Sequence, residues 1–189
     1  MKNIWVLFVV LCYSGICLAE ESNKWFVGLG IGISKYKESS LSENDELISF
    51  SGGYTFNDIF SVEAGYIDLG GVKARVVPDN LISLSQDTLS IDVKGFTVSS
   101  LFSWQMIDSL RLSAKLGLSS LDVNKQWSGG TFVDPDLASD TGGTETDVYA
   151  GVQLQYQVSE SLSLGLNWDR YKIEGADIDG VYGRINIHF

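Results

Sequence analysis

Between Ile48 and Gly70 every second residue is apolar or small: Ile48, Phe50, Gly52, Tyr54 and Phe56, then Phe60, Val62, Ala64 and Tyr66, with one interruption at Asn57-Asp58-Ile59. The interleaved positions are Ser49, Ser51, Gly53, Thr55, Ser61, Glu63 and Gly65. Successive side chains of a β-strand point to opposite faces, so this stretch reads as two strands joined by a tight turn, greasy on one face and polar on the other. Such a face has two ways to leave water. Other protein covers it, or the sheet closes on itself and turns its greasy side to lipid.

The spacing recurs. Tyr54, Phe56, Phe60 and Val62 are matched by Trp104, Met106, Leu110 and Leu112, and again by Tyr156, Val158, Leu162 and Leu164. Each set brackets a three-residue turn: Asn57-Asp58-Ile59, Ile107-Asp108-Ser109 and Ser159-Glu160-Ser161. Between these turns lie longer polar connections, bounded from the sequence at 37–46, 70–91 and 122–145, with a shorter acidic one at 174–179. Alternation of short and long connections is the habit of outer membrane barrels, whose periplasmic turns are tight and whose extracellular loops vary.

The first 19 residues predict a cleaved signal peptide. Lys2 supplies the positive end, Ile4 to Cys12 the apolar stretch, and Cys17-Leu18-Ala19 a small-residue cleavage site before Glu20. Ile16 stands where a lipoprotein signal wants a small residue, which disfavours lipidation of Cys17. Cys12 and Cys17 are the only cysteines, so both leave with the signal, and the mature chain is expected to hold no disulfide, thiol nucleophile or cysteine metal site. Losing Lys2 takes the formal net charge from −11 to −12, which argues against nucleic acid as a partner. After residue 19 no apolar run approaches the roughly 20 residues of a spanning helix, so a membrane could be crossed only by a closed barrel. Eight alternating segments fit one barrel domain over 20–189 and no second domain.

Parity then sorts the side chains. Gly28, Gly30 and Gly32 fall on the inner face of the first strand and imply crowding there. Glu63, Arg111, Lys115, Gln153, Asp169, Arg184 and His188 also fall inside, and are expected to form a polar network that plugs a lumen too narrow to be an open pore. The alternative is a narrow porin-like channel passing small ions or solutes through that network. Outside, Trp25, Tyr54, Phe60, Trp104 and Tyr156 gather toward the short turns, and Tyr66, Phe96 and Trp168 toward the long loops, predicting two interfacial girdles. Lys35 and Arg170 fall just beyond the second girdle, where they could meet lipopolysaccharide.

The chain stops on Phe189, with Ile187 and Ile185 at alternate positions before it. This resembles the terminal signal read by the outer membrane assembly machinery. With the stretches Lys24-Trp25-Phe26-Val27-Gly28-Leu29-Gly30, Gly52-Gly53-Tyr54-Thr55-Phe56-Asn57-Asp58 and Glu63-Ala64-Gly65-Tyr66-Ile67-Asp68-Leu69-Gly70, the chain resembles the OmpA-like transmembrane barrels of Gram-negative outer membranes. The resemblance implies an all-β, eight-stranded antiparallel up-and-down transmembrane β-barrel with short periplasmic turns and long extracellular loops. It also implies outer membrane lipid, lipopolysaccharide, periplasmic chaperones and the assembly machinery as partners. The longer members append a peptidoglycan-binding domain, and the sequence predicts none here.

An enzyme acting on lipid A needs a nucleophile and base at the outer leaflet. The single histidine, His188, lies next to the terminus at the opposite end. Neither Asp134/Asp136 nor Glu174/Asp177/Asp179 has the spacing of a closed calcium loop. The sequence thus predicts no catalytic residue, metal or cofactor. The expectation is an integral barrel that displays acidic loops, with an unidentified external loop ligand as partner; a lipid A-modifying enzyme is the remoter alternative.

Overall fold

Asn57 makes the first hairpin. Its Oδ1 accepts the backbone N–H groups of Ile59 (3.0 Å) and Phe60 (2.8 Å), a side-chain turn that sends the chain straight back on itself. Tyr54 consequently faces Val62 and Gly52 faces Ala64 across the two strands. The computed structural model describes residues 24–37, 44–76, 87–128, 142–173 and 176–189. The signal peptide assigned to 1–19 lies outside them. The strands are β1 (Trp25–Lys37), β2 (Asn44–Thr55), β3 (Phe60–Val76), β4 (Asp87–Ile107), β5 (Leu110–Ser128), β6 (Gly142–Ser159), β7 (Leu162–Ile173) and β8 (Ala176–His188). Each is antiparallel to the next, and β8 returns to β1 from Phe26↔His188 to Lys37↔Asp177. Trp25 and Phe189 exchange both backbone hydrogen bonds, at 3.0 and 2.9 Å. The result is a closed eight-stranded up-and-down barrel in which every strand has a paired neighbour on both sides through the wall.

The wall is turned inside out relative to a soluble sheet. Leu29, Ile31, Phe96, Val98, Leu116, Leu118, Leu166 and Ile185 are exposed, while Ser, Gln, Asn and charged residues of the same strands are buried in the interior. An exposed apolar band this continuous needs hydrocarbon to cover it.

Toward the long-loop end the strands run further than periodicity placed them. About half of each interval assigned to a loop at 70–91 and 122–145 is strand, because β3 extends to Val76, β4 starts at Asp87, β5 extends to Ser128 and β6 starts at Gly142. The first loop likewise loses its end to β2 from Asn44, and the last loses its end to β8 from Ala176. β4 has 21 residues, about twice the 9–11 that cross a bilayer.

The physical reason is an inversion of polarity along each strand. Beyond the apolar band the outward positions become Lys35, Glu46, Asp68, Asp92, Lys94, Asp122 and Lys172. The inward positions become Leu47, Ile67, Leu69, Val93, Leu121, Val123, Tyr171, Ile173 and Ile178, which pack together as a buried apolar cluster. Above the band, therefore, the barrel is built like a soluble protein. A reading that assigns apolar residues to the outer face throughout loses the strand where the rule reverses.

One irregularity sits at that transition. The β3–β4 register shifts between Asp68 and Gly71, and Gly70 takes φ = +72°. Asp68 Oδ1 accepts the Gly70 N–H at 3.0 Å, and Asp45 Oδ2 accepts the Gly71 N–H at 2.6 Å. A side chain at position 70 would be strained by its φ and would run into the Asp45 carboxylate.

Candidate functional site in the barrel interior

The interior is layered along the barrel axis. At its middle, Glu63 on β3, Lys115 on β5, Asp169 on β7 and Arg184 on β8 converge, all almost completely buried. Arg184 Nη2 donates to Glu63 Oε2, and Lys115 Nζ lies 3.6 Å from Glu63 Oε1 and 3.1 Å from Asp169 Oδ2. Tyr182 donates its hydroxyl to Asp169 Oδ2 at 2.6 Å, and Tyr171 donates to the same oxygen at 3.3 Å. Two cations and two carboxylates thus alternate across the lumen, and each charge is paired. Burying them singly would cost several kcal/mol each, so the four stand together as a unit.

The glycines make room for this cluster. A Cβ at Gly28 would meet the Arg184 guanidinium and Asn186, and one at Gly151 would meet the Asp169 carboxylate. A side chain at either position would have to push these groups aside.

Toward the short turns the lumen is lined mainly by uncharged polar groups, with the cation Arg111 beside them. Ser103 and Ser113 share a hydrogen bond of 2.8 Å, Gln153 donates to Gln155 at 3.3 Å, and Gln155 donates to Ser163 at 2.6 Å. His188 Nε2 lies 2.9 Å from Ser163 Oγ and 3.3 Å from Gln155 Nε2. Between the charge cluster and the mouth lies a hollow of about 20 Å³, and another of about 10 Å³ lies at the cluster itself, beside Tyr149 and Tyr171; each is close to the size that holds one water. At the mouth itself a recess of about 430 Å³ opens between the short turns.

Of the seven interior residues singled out from parity, four form the charge cluster. Gln153 and His188 belong to the amide and hydroxyl layer below it. Arg111 joins neither group: it lines the recess at the mouth and takes part in none of the interior ion pairs among the described residues.

Toward the long loops the interior is closed by the apolar cluster, which parity reading missed. Leu47, Leu69, Leu121, Tyr171 and Ile178 are at most 2% exposed, and Tyr149 stacks on Tyr171 with ring centroids 4.9 Å apart. The signal was present in the sequence as Leu47, Ile67-x-Leu69, Val93 and Leu121-x-Val123, all on inward parity. Tyr36 roofs the cluster, donating to the carbonyls of Leu69 and Gly70. Burial, and then the nearby Asp45, Asp68 and Asp92, push its phenol well up, so it remains a hydrogen-bond donor.

On the outer wall, Trp25 packs edge-on against Tyr54 at 4.8 Å near the short turns, and Phe60 lies against Phe102 at 5.5 Å; Trp104 and Tyr156 are exposed at the same end. At the other limit of the band, Tyr66 meets Phe96 edge-on at 5.5 Å, and Trp168 carries the Arg170 guanidinium over its ring at 5.3 Å. Arg170 is also gripped by Asp179, through bonds of 2.6 and 3.0 Å. Ile185 and Ile187 face outward on β8, and Phe189 completes the seam with β1. Lys35 is exposed and lies opposite Asp179 in the β1–β8 register.

Residues 6–189 match the family model of the outer membrane protein beta-barrel domain. No curated protein matches the chain. Among solved structures it is similar to Ail, the attachment invasion locus protein of Yersinia pestis, in complex with the heparin analogue sucrose octasulfate; the TM-score is 0.57 at 13% identity, over 88% of this chain and 98% of that one. It is similar also to neisserial surface protein A, with a TM-score of 0.52 at 17% identity over 87% and 97%. A third likeness is the N-terminal β-barrel domain of Pseudomonas aeruginosa OprF, with a TM-score of 0.51 at 14% identity over 89% and 98%. At these identities the likeness is one of fold.

Proposed function

Because the chain belongs to the outer membrane protein beta-barrel domain family, we propose that it is a non-conducting, non-enzymatic barrel of a Gram-negative outer membrane that holds acidic loops away from the cell for an external partner. In this reading residues 1–19 export it, Ile185, Ile187 and Phe189 present it to the assembly machinery, and the short turns face the periplasm.

The double closure of the lumen carries the proposal. A path through the barrel would have to break the Glu63–Arg184–Lys115–Asp169 cluster and then cross a packed apolar layer. Ions pay a high desolvation cost in such a layer.

The long strands support display. They continue past the apolar band with a packed core of their own, which makes a stiff collar on which loops are held clear of the lipid surface. The four segments at that end, 38–43, 77–86, 129–141 and 174–175, contain seven acidic residues and no Lys or Arg. Ail was crystallised with a polyanion. The charge on these loops instead favours a partner with a basic surface.

Catalysis on lipid A is disfavoured by position, since the only histidine lies at the short-turn mouth. Single-channel recording in planar bilayers tests the reading. We expect no stepwise current from the refolded barrel; a steady ohmic conductance would replace display with the porin-like alternative.

A further inference from the structure

The recess at the short-turn mouth differs from the rest of the interior. Its volume, about 430 Å³, lies within the range of small-ligand sites, about 300–1,000 Å³. Lys115 and Arg184 are each neutralised by carboxylates, whereas Arg111, half-buried on the wall of the recess, has no such partner among the described residues. The lining of this half-open recess also carries Lys24 and, on the exposed turns, the carboxylates Asp58, Asp108 and Glu160, so an anion would be held by Arg111 deeper in the wall and not by the rim; a guanidinium matches an oxyanion through two parallel N–H bonds.

The flanking amides define the rest of the ligand. Gln105 Nε2 donates to the Asp108 carbonyl at 3.3 Å, and Gln157 Nε2 donates to the Ser159 carbonyl at 2.6 Å. One N–H of each amide is held by its own turn, and each side chain also presents a carbonyl oxygen, which accepts. Phe56 and Ile107 add apolar surface at the rim. A small molecule that brings a carboxylate, an amide N–H close behind it and a short apolar side chain is the end of a peptide.

We propose that this mouth binds the carboxy-terminal end of a short peptide, its α-carboxylate paired with Arg111 and its amide N–H groups donated to Gln105 and Gln157. The site sits at the opposite end from the acidic loops and beneath both closures of the lumen. It therefore holds or fails whether or not the barrel conducts.

His188 provides the reporter. It is the only histidine in the chain and lines the same recess, so histidine-labelled barrel in detergent micelles, made without a histidine tag, gives one imidazole signal that needs no assignment. Titration with N-acetyl-alanyl-alanine will move that signal saturably, and the same dipeptide with an amidated C-terminus will not. Arg111→Gln will weaken binding about tenfold or more, the loss expected of a charge-assisted pair, and Arg111→Lys will restore part of it. Heat-modifiable gel migration verifies that both variants remain folded. No saturable shift, equal shifts from acid and amide, wild-type affinity in Arg111→Gln, or acetate binding as tightly as the dipeptide would each overturn the proposal.

Discussion

Arg184 and Glu63 stand 121 residues apart in sequence and hydrogen-bond across the lumen, from β8 to β3, two strands that are not neighbours in the wall. Their bond is one of the contacts that fix the barrel's cross-section from inside. Removing one partner strands a charge in a buried interior, which costs about 3–5 kcal/mol. Glu63→Ala will therefore lower the urea midpoint of the refolded barrel sharply. The double substitution Glu63→Leu with Arg184→Met removes both charges while keeping volume, and will recover most of the loss. Lys115 keeps Asp169 as a partner in both variants. If the double variant is no more stable than Glu63→Ala, the cluster is held by something other than charge pairing.

The apolar layer at the loop end gives a second test. Leu69 is fully buried among Leu47, Tyr36 and their neighbours. Truncation to alanine leaves a cavity in a packed core and will cost about 2–5 kcal/mol by the same unfolding measurement. If the layer were lipid-exposed or hydrated, the change would be close to neutral.

Glycines on the two faces of the wall predict opposite outcomes for one substitution. A Cβ at Gly151 would overlap Asp169 Oδ1 and crowd the Trp168 carbonyl, while a Cβ at Gly183 meets nothing within 4 Å. Gly151→Val will displace Asp169 from Lys115 and destabilise by about 2 kcal/mol or more. Gly183→Val, on the lipid face, will refold with a nearly unchanged midpoint. Equal effects at both sites would mean that the two faces are wrongly assigned.

Strand parity made the barrel legible because hydrocarbon imposes one rule on every strand that crosses it: apolar residues out at every second position, as in Leu112, Ala114, Leu116 and Leu118. The rule also brings Glu63, Lys115, Asp169 and Arg184 inside. It does not say which of them meet, because strand tilt and stagger decide which rungs share a level. Arg111 and Lys115 occupy the same face of β5 two pleat repeats apart, yet one faces the mouth and the other the charge cluster. The collar was hidden for the opposite reason. Once β5 leaves lipid at Ser120, Leu121 and Val123 turn inward and Asp122 outward, so the pattern that marked the strand changes sign and reads as a polar loop.

That change of sign places the lipid boundary within a few residues, and β5 carries both sides of it on one face. Leu116 and Ser120 share outward parity, Leu116 in the exposed apolar band and Ser120 at the foot of the collar, opposite Phe96 and Thr146. An arginine on the lipid face costs about 2–4 kcal/mol near the bilayer midplane and about 0–1 kcal/mol near the interface. Leu116→Arg will accordingly lower the folding free energy in phospholipid vesicles by a few kcal/mol, whereas Ser120→Arg will leave it within about 1 kcal/mol of wild type. Folding into detergent micelles, whose thickness adapts, will compress the difference. If Ser120→Arg proved as costly as Leu116→Arg in vesicles, hydrocarbon would extend over the collar, and the long strands would be membrane wall instead of a stalk for the loops.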